Sequence, residues 1–130
     1  MFSVSGRTIT LSRGDTGAIR FNVSAVYLGT ETPYRFSQRD RVVFTVKSGN
    51  AIVKERYFPI SYDSNTGNQT FVVSFFNQDT ASLTAGGYNW DTRYVINPRY
   101  NDEGRIVDGD QVITPKQPSG LQLLTVVGDI

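Results

Sequence analysis

Gly86-Gly87-Tyr88-Asn89-Trp90-Asp91-Thr92-Arg93-Tyr94-Val95-Ile96 is the stretch on which the fold turns. Large apolar residues (Tyr88, Trp90, Tyr94, Ile96) alternate with polar ones (Asn89, Asp91, Arg93). A period of two marks a strand with one buried face. Trp90 is the only tryptophan in the chain. Its indole can bury on the order of 200 Å², or roughly 5 kcal/mol gross before ordering entropy is subtracted. The segment therefore predicts the central strand of a β-sandwich core.

The same alternation recurs on both sides of it. Ala18 to Tyr27 sets Ile19, Phe21, Val23 and Ala25 against Arg20, Asn22 and Ser24. Arg41 to Ser48 turns Val42, Phe44 and Val46 inward, and Gly49-Asn50 leads into a hairpin partner over Ile52 to Phe58. Thr70 to Phe76 places Phe71, Val73 and Phe75 on one side. Phe2 to Leu11 reads as one strand or two short ones broken near Gly6; Gln111 to Thr114 and Leu121 to Val127 complete the set. Between them lie turn-rich segments: Ser12 to Gly17, Gly29 to Asp40, Tyr62 to Gln69, and Asn97 to Gly109, the last a protruding loop or a small hairpin around Arg105-Ile106-Val107. Asp79-Thr80-Ala81-Ser82-Leu83 offers a helix-capping start but about one turn of length. Seven to eight short strands with at most one helical turn predict an all-β, antiparallel sandwich in a single domain spanning residues 1–130.

Composition removes several chemistries. The chain has no cysteine and no histidine, which excludes disulfides, thiolate zinc sites, cysteine nucleophiles, Ser-His-Asp catalysis and imidazole ligation. A net charge of +1 with ten dispersed arginines predicts no nucleic-acid partner. No apolar run approaches membrane-spanning length and the N-terminus lacks a signal-peptide layout, so the expectation is cytoplasmic synthesis and delivery by assembly, without a membrane partner.

Two resemblances go further. Asp79-Thr80 through Gly87-Tyr88-Asn89-Trp90 resembles the corner between strands E and F of immunoglobulin-like domains, with Trp90 in the place of the buried cysteine. The resemblance implies that Tyr88 is a corner tyrosine whose hydroxyl bonds back to nearby backbone. Nearly the whole chain, moreover, resembles the immunoglobulin-like N-terminal domain of phage baseplate upper proteins, found in phages and prophages of Gram-positive bacteria. The residues that carry this are Leu11, Arg13, Gly14, Asp15 and Thr16; Asp40, Val42, Phe44 and Val46; and Asp79, Thr80, Leu83, Gly87, Tyr88 and Asp91. Members of that family often continue into a long C-terminal part, whereas this sequence ends just after its last predicted strand. The resemblance thus implies a small, non-enzymatic virion component that docks on other phage subunits of the tail, baseplate or capsid, and forms a homo-oligomer in the particle. A module binding cell-surface polysaccharide is the alternative.

Individual motifs add little chemistry. Arg13-Gly14-Asp15 spells an integrin tripeptide, but a tight turn with Asp15 capping backbone amides is the better reading. Asp63 to Asn68 lacks the spacing of a calcium loop and reads as a hairpin turn. Asp108-Gly109-Asp110, with Asp102 and Glu103 nearby, is the best carboxylate cluster; it reads as a solvated turn, with weak calcium binding or acid-pair chemistry as the sharper options. No catalytic, cofactor or metal residue is assigned. The candidate interface consists of loop aromatics and their arginines, namely Tyr27, Tyr34, Arg35, Phe36, Tyr57, Tyr62, Arg99 and Tyr100. Gly14, Asp15, Phe21, Phe44, Tyr88 and Trp90 are assigned to turn and core.

Overall fold

In a computed structural model, residues 2–5, 7–23, 34–113 and 123–127 are described. The strand built on the central stretch is β8 (Gly86–Ile96), the longest among the described residues, with antiparallel neighbours on both sides. On one side runs β4 (Arg41–Ser48), which pairs in turn with β5 (Ala51–Pro59). On the other, β12 (Leu123–Val127) covers its first half and β11 (Gln111–Ile113) its second. Beyond β12 come β2 (Thr8–Ser12) and β1 (Phe2–Ser5), joined as a hairpin. The facing sheet holds β3 (Gly17–Val23), β7 (Gln69–Phe75) and β6 (Ser61–Tyr62) in that order. A small third sheet pairs β9 (Arg99–Tyr100) with β10 (Ile106–Asp108).

This is the predicted all-β sandwich. Seven of the strands have five residues or more, and the short β1, β6, β9, β10 and β11 extend that framework. With β3, β7 and β6 facing β12, β8, β4 and β5, the strand order is that of an immunoglobulin-like sandwich. One pairing departs from the antiparallel expectation: β2 and β12 run parallel, Ile9 opposite Leu124 and Leu11 opposite Val126. All four side chains are buried, so this parallel seam is part of the core.

Core chemistry follows the alternation. Val42, Phe44 and Val46 from β4, Phe71, Val73 and Phe75 from β7, and Tyr88, Trp90 and Tyr94 from β8 share one apolar cluster. Trp90 is its hub: its ring stacks on Phe44 with centroids 5.4 Å apart and tilts against Phe21 at 5.7 Å. Its Nε1–H donates to the Arg7 carbonyl at 2.9 Å, which keeps the indole's one polar atom satisfied inside. The corner expectation for Tyr88 holds as well. Its hydroxyl donates to the Thr84 carbonyl at 2.7 Å.

The helical turn lies slightly earlier than expected. Helix α1 spans Asn77–Ala81, and Asp79 sits inside its first turn. There its carboxylate accepts the Phe76 N–H at 2.8 Å and pairs with Arg56. Asp79 thus caps the helix from within and ties it to β5. The Arg13-Gly14-Asp15 turn is as read from sequence: Asp15 Oδ2 accepts the Ser12 N–H at 2.8 Å, and Gly14 takes a positive φ of 84°. The turn between β6 and β7 likewise closes through Asp63, whose N–H donates to the Asn68 carbonyl at 2.9 Å.

Candidate functional site

The candidate interface residues fall into two groups at different places on the sandwich. Tyr27 and Ala25, with the rest of residues 24–33, lie outside the described residues.

The first group is at one end, where residues 34–38 meet the turn before β6. An open cleft of about 620 Å³ is lined there by Arg35, Phe36, Gln38, Ile60 and Tyr62, among others. Phe36 is a correction: its ring is 4 % exposed and packs on Tyr94 with centroids 5.6 Å apart, so it belongs to the core. A side chain imitates a strand neighbour here. Gln69 Oε1 accepts the Phe36 N–H at 2.7 Å while its Nε2 donates to the Tyr34 carbonyl at 2.9 Å. That clamp draws residues 34–36 inward and brings Tyr34 edge-on to Phe36 at 4.9 Å. Outside, Arg35 lays its guanidinium over the Tyr62 ring, 3.8 Å from the centroid.

The second group is on the outer face of the larger sheet. The chain between β8 and β11 forms the β9–β10 hairpin, which folds back across that face. Its base is held by Arg99, which bonds Asp108 through Nε at 2.6 Å, Asp110 through Nη1 at 2.9 Å and the Gly109 carbonyl through Nη2 at 3.0 Å. Asn97 Nδ2 donates to the other Asp110 oxygen at 3.0 Å. These bonds push the Asp110 carboxyl below its ordinary value, Asn97 first and Arg99 next, and hold Arg99 more firmly protonated. The best carboxylate cluster of the sequence is therefore engaged by one arginine, and Arg99 is a structural fork, not an exposed contact cation.

The far side of the hairpin is fixed over β5. The Ile106 N–H donates to the Tyr57 hydroxyl at 3.0 Å, and Tyr57 in turn donates to Glu55 Oε1 at 2.6 Å. Burial, with Glu55 beside it, raises the Tyr57 hydroxyl above its usual value. Tyr100 meets Tyr57 edge-on at 6.5 Å and stays 47 % exposed. Between hairpin and sheet lies a cleft of about 180 Å³, floored by Val43 and Val95 and bordered by Ile52, Arg93, Val107 and Val112. Ile52, Val107 and Val112 remain largely exposed, whereas Val43 and Val95 are buried.

The residue that links the two groups enters the sequence reading only as part of the resemblance, with no role of its own. Asp40 is 1 % exposed; its Oδ2 accepts the Ser37 N–H at 2.7 Å and its Oδ1 the Asn97 N–H at 2.9 Å. One buried carboxylate thus anchors both the 34–40 segment and the hairpin base, where Asn97 adopts a positive φ of 49°. Its only local signal is a position just before a strand, which is common to many turn aspartates.

Among the described residues no group of three or more Asp and Glu is placed to hold a metal ion. No family model, curated protein or solved structure matches the chain.

Proposed function

We propose that the chain is a non-enzymatic structural subunit of a bacteriophage particle, a rigid sandwich that docks on other particle subunits. The observation that carries this reading is the outer face of the larger sheet. Ile52, Tyr100, Val107 and Val112 are exposed there around a hairpin held at base and tip by side-chain bonds. Apolar side chains gathered on a firmly supported surface suit contact with another protein. The viral setting rests on the resemblance to baseplate domains, for which the sandwich order and the Tyr88 corner are congenial architecture.

The polysaccharide-binding alternative has less in its favour. Sugar rings stack on open aromatic faces, but Trp90 is in the core and the Tyr62 face carries the Arg35 guanidinium. Acid-pair hydrolysis is disfavoured on similar grounds, because Arg99 already engages Asp108 and Asp110.

Mixing the purified chain with emptied heads and with isolated tails of phages of Gram-positive hosts tests the proposal. Co-sedimentation with one of the two, lost on Tyr100→Ala with Val112→Asp, is the expected result. A chain that ignores both particles but is retained by cell-wall glycan belongs to the alternative.

A further inference from the structure

The outer face of the larger sheet carries an arrangement of charges that points to a particular occupant. Register places Tyr57, Val43 and Arg93 in one row across β5, β4 and β8. The hairpin tip sits at the Tyr57 end of this row, since Ile106 and Tyr100 meet Tyr57 and Arg105 reaches Glu55. Arg93 is at the other end, about two strand spacings or ~10 Å away. Between them the cleft has an apolar floor, Val43 and Val95, and a mixed rim on which Ile52, Val107 and Val112 stand beside Glu55, Arg105 and Asp108; Val107 is 60 % exposed on the hairpin.

The two ends are opposite in sign. Arg93 is exposed and makes no ion pair among the described residues, unlike Lys47 and Arg105 on the same face, which meet Asp91 and Glu55. The tip presents Asp102 and Glu103, both exposed and without a cation partner among the described residues. Their backbone is fixed independently, because Asn101 Oδ1 accepts the N–H groups of Glu103 and Arg105. A surface with an unpaired cation at one end, unpaired anions at the other and exposed valines between them complements itself after half a turn. That is the requirement of a two-fold interface, where every contact occurs twice.

We propose that two copies of this chain pair through this face, about a two-fold axis passing near Val107, with Arg93 of each copy against the Asp102-Glu103 tip of the other. The proposal rests on the docking reading above and names the partner for this face as a second copy.

Analytical ultracentrifugation of the full chain over a concentration series tests it. The wild type is expected to show a monomer–dimer equilibrium. Arg93→Glu is expected to weaken it by about a hundredfold, since the axis repeats each like-charge clash. Combining Arg93→Glu with Asp102→Arg and Glu103→Arg should restore the dimer. A second route exploits the absence of cysteine from the chain. Val107→Cys should give a covalent dimer on mild oxidation, whereas Tyr62→Cys, at the distant end cleft, should not. A wild type that is monomeric up to its solubility limit overturns the proposal, as does a dimer indifferent to Arg93→Glu. A monomer that still sediments with phage particles would leave the docking reading standing and remove only this one.

Discussion

Tyr88 and Thr45 show how differently two hydroxyls on opposite faces of one sheet behave. The Tyr88 hydroxyl closes a local loop onto the Thr84 carbonyl and also lies 3.0 Å from Thr84 Oγ1. Removing it leaves a part-buried carbonyl short of a donor. Tyr88→Phe should therefore destabilise by about 1–2 kcal/mol, measured by urea unfolding. Thr45 is the opposite case. It is 1 % exposed, directly across from Asp91, and neither Thr45 Oγ1 nor Asp91 Oδ1 has a hydrogen-bond partner among the described residues. Valine keeps the β-branched shape and removes the unsatisfied hydroxyl. Thr45→Val should raise stability by about 1 kcal/mol in the same assay. A loss of that size instead would mean that the hydroxyl is satisfied in solution.

At the level of elements, β1 pairs with β2 through its backbone, and one side chain and one missing one tie it to the rest of the sandwich. Three of its four residues are exposed, and Phe2 is held by Phe75, 5.8 Å away, and by the absence of a side chain at Gly17. A Cβ at Gly17 would come within 2.6 Å of the Phe2 ring. Gly17→Ala and Phe2→Ala should then each cost about 1–2 kcal/mol. Together they should cost little more than either alone, because each abolishes the same contact. Additive losses in a double-mutant cycle would show that Gly17 matters for some other reason. Sequence alone placed β4, β7 and β8 and their inward faces, because each has one side that meets the core and a period of two reports that directly. It was blind to what covers the other side. Val43 and Val95 are buried by the hairpin, so β4 is buried from Val42 to Val46 without alternation. Phe36 entered the core through the Gln69 clamp, and Arg99 gathered two aspartates nine and eleven residues away. Contacts of that kind depend on where distant elements come to rest, and no local pattern encodes them.

For the molecule as a whole, these side-chain bonds set how stability varies with pH. Asp110 has a depressed folded value, so its contribution is complete above the unfolded value near 3.9 and is lost as pH falls. Tyr57 and Tyr94 are raised chiefly by burial, so theirs is complete below about 10 and is lost as pH rises. Thermal unfolding midpoints should fall below about pH 4 and above about pH 10. Arg99→Met should flatten the acid limb modestly, since the fork is exposed and solvent-screened, and Tyr57→Phe the alkaline one. An acid limb unchanged in Arg99→Met would remove the fork from this account.

The parallel seam between β2 and β12 has a consequence in time. As the chain leaves the ribosome, β2 is made well before its partner β12, the strand that also borders β8 and that emerges after it. Until then the nascent larger sheet has a gap one strand wide, with Ile9 and Leu11 on one side and Tyr88 on the other. The earlier strand must wait for the later one. The larger sheet is expected to close only once β12 has emerged, and a stalled product ending before Leu123 would expose the inner faces of both neighbours to whatever binds apolar strands.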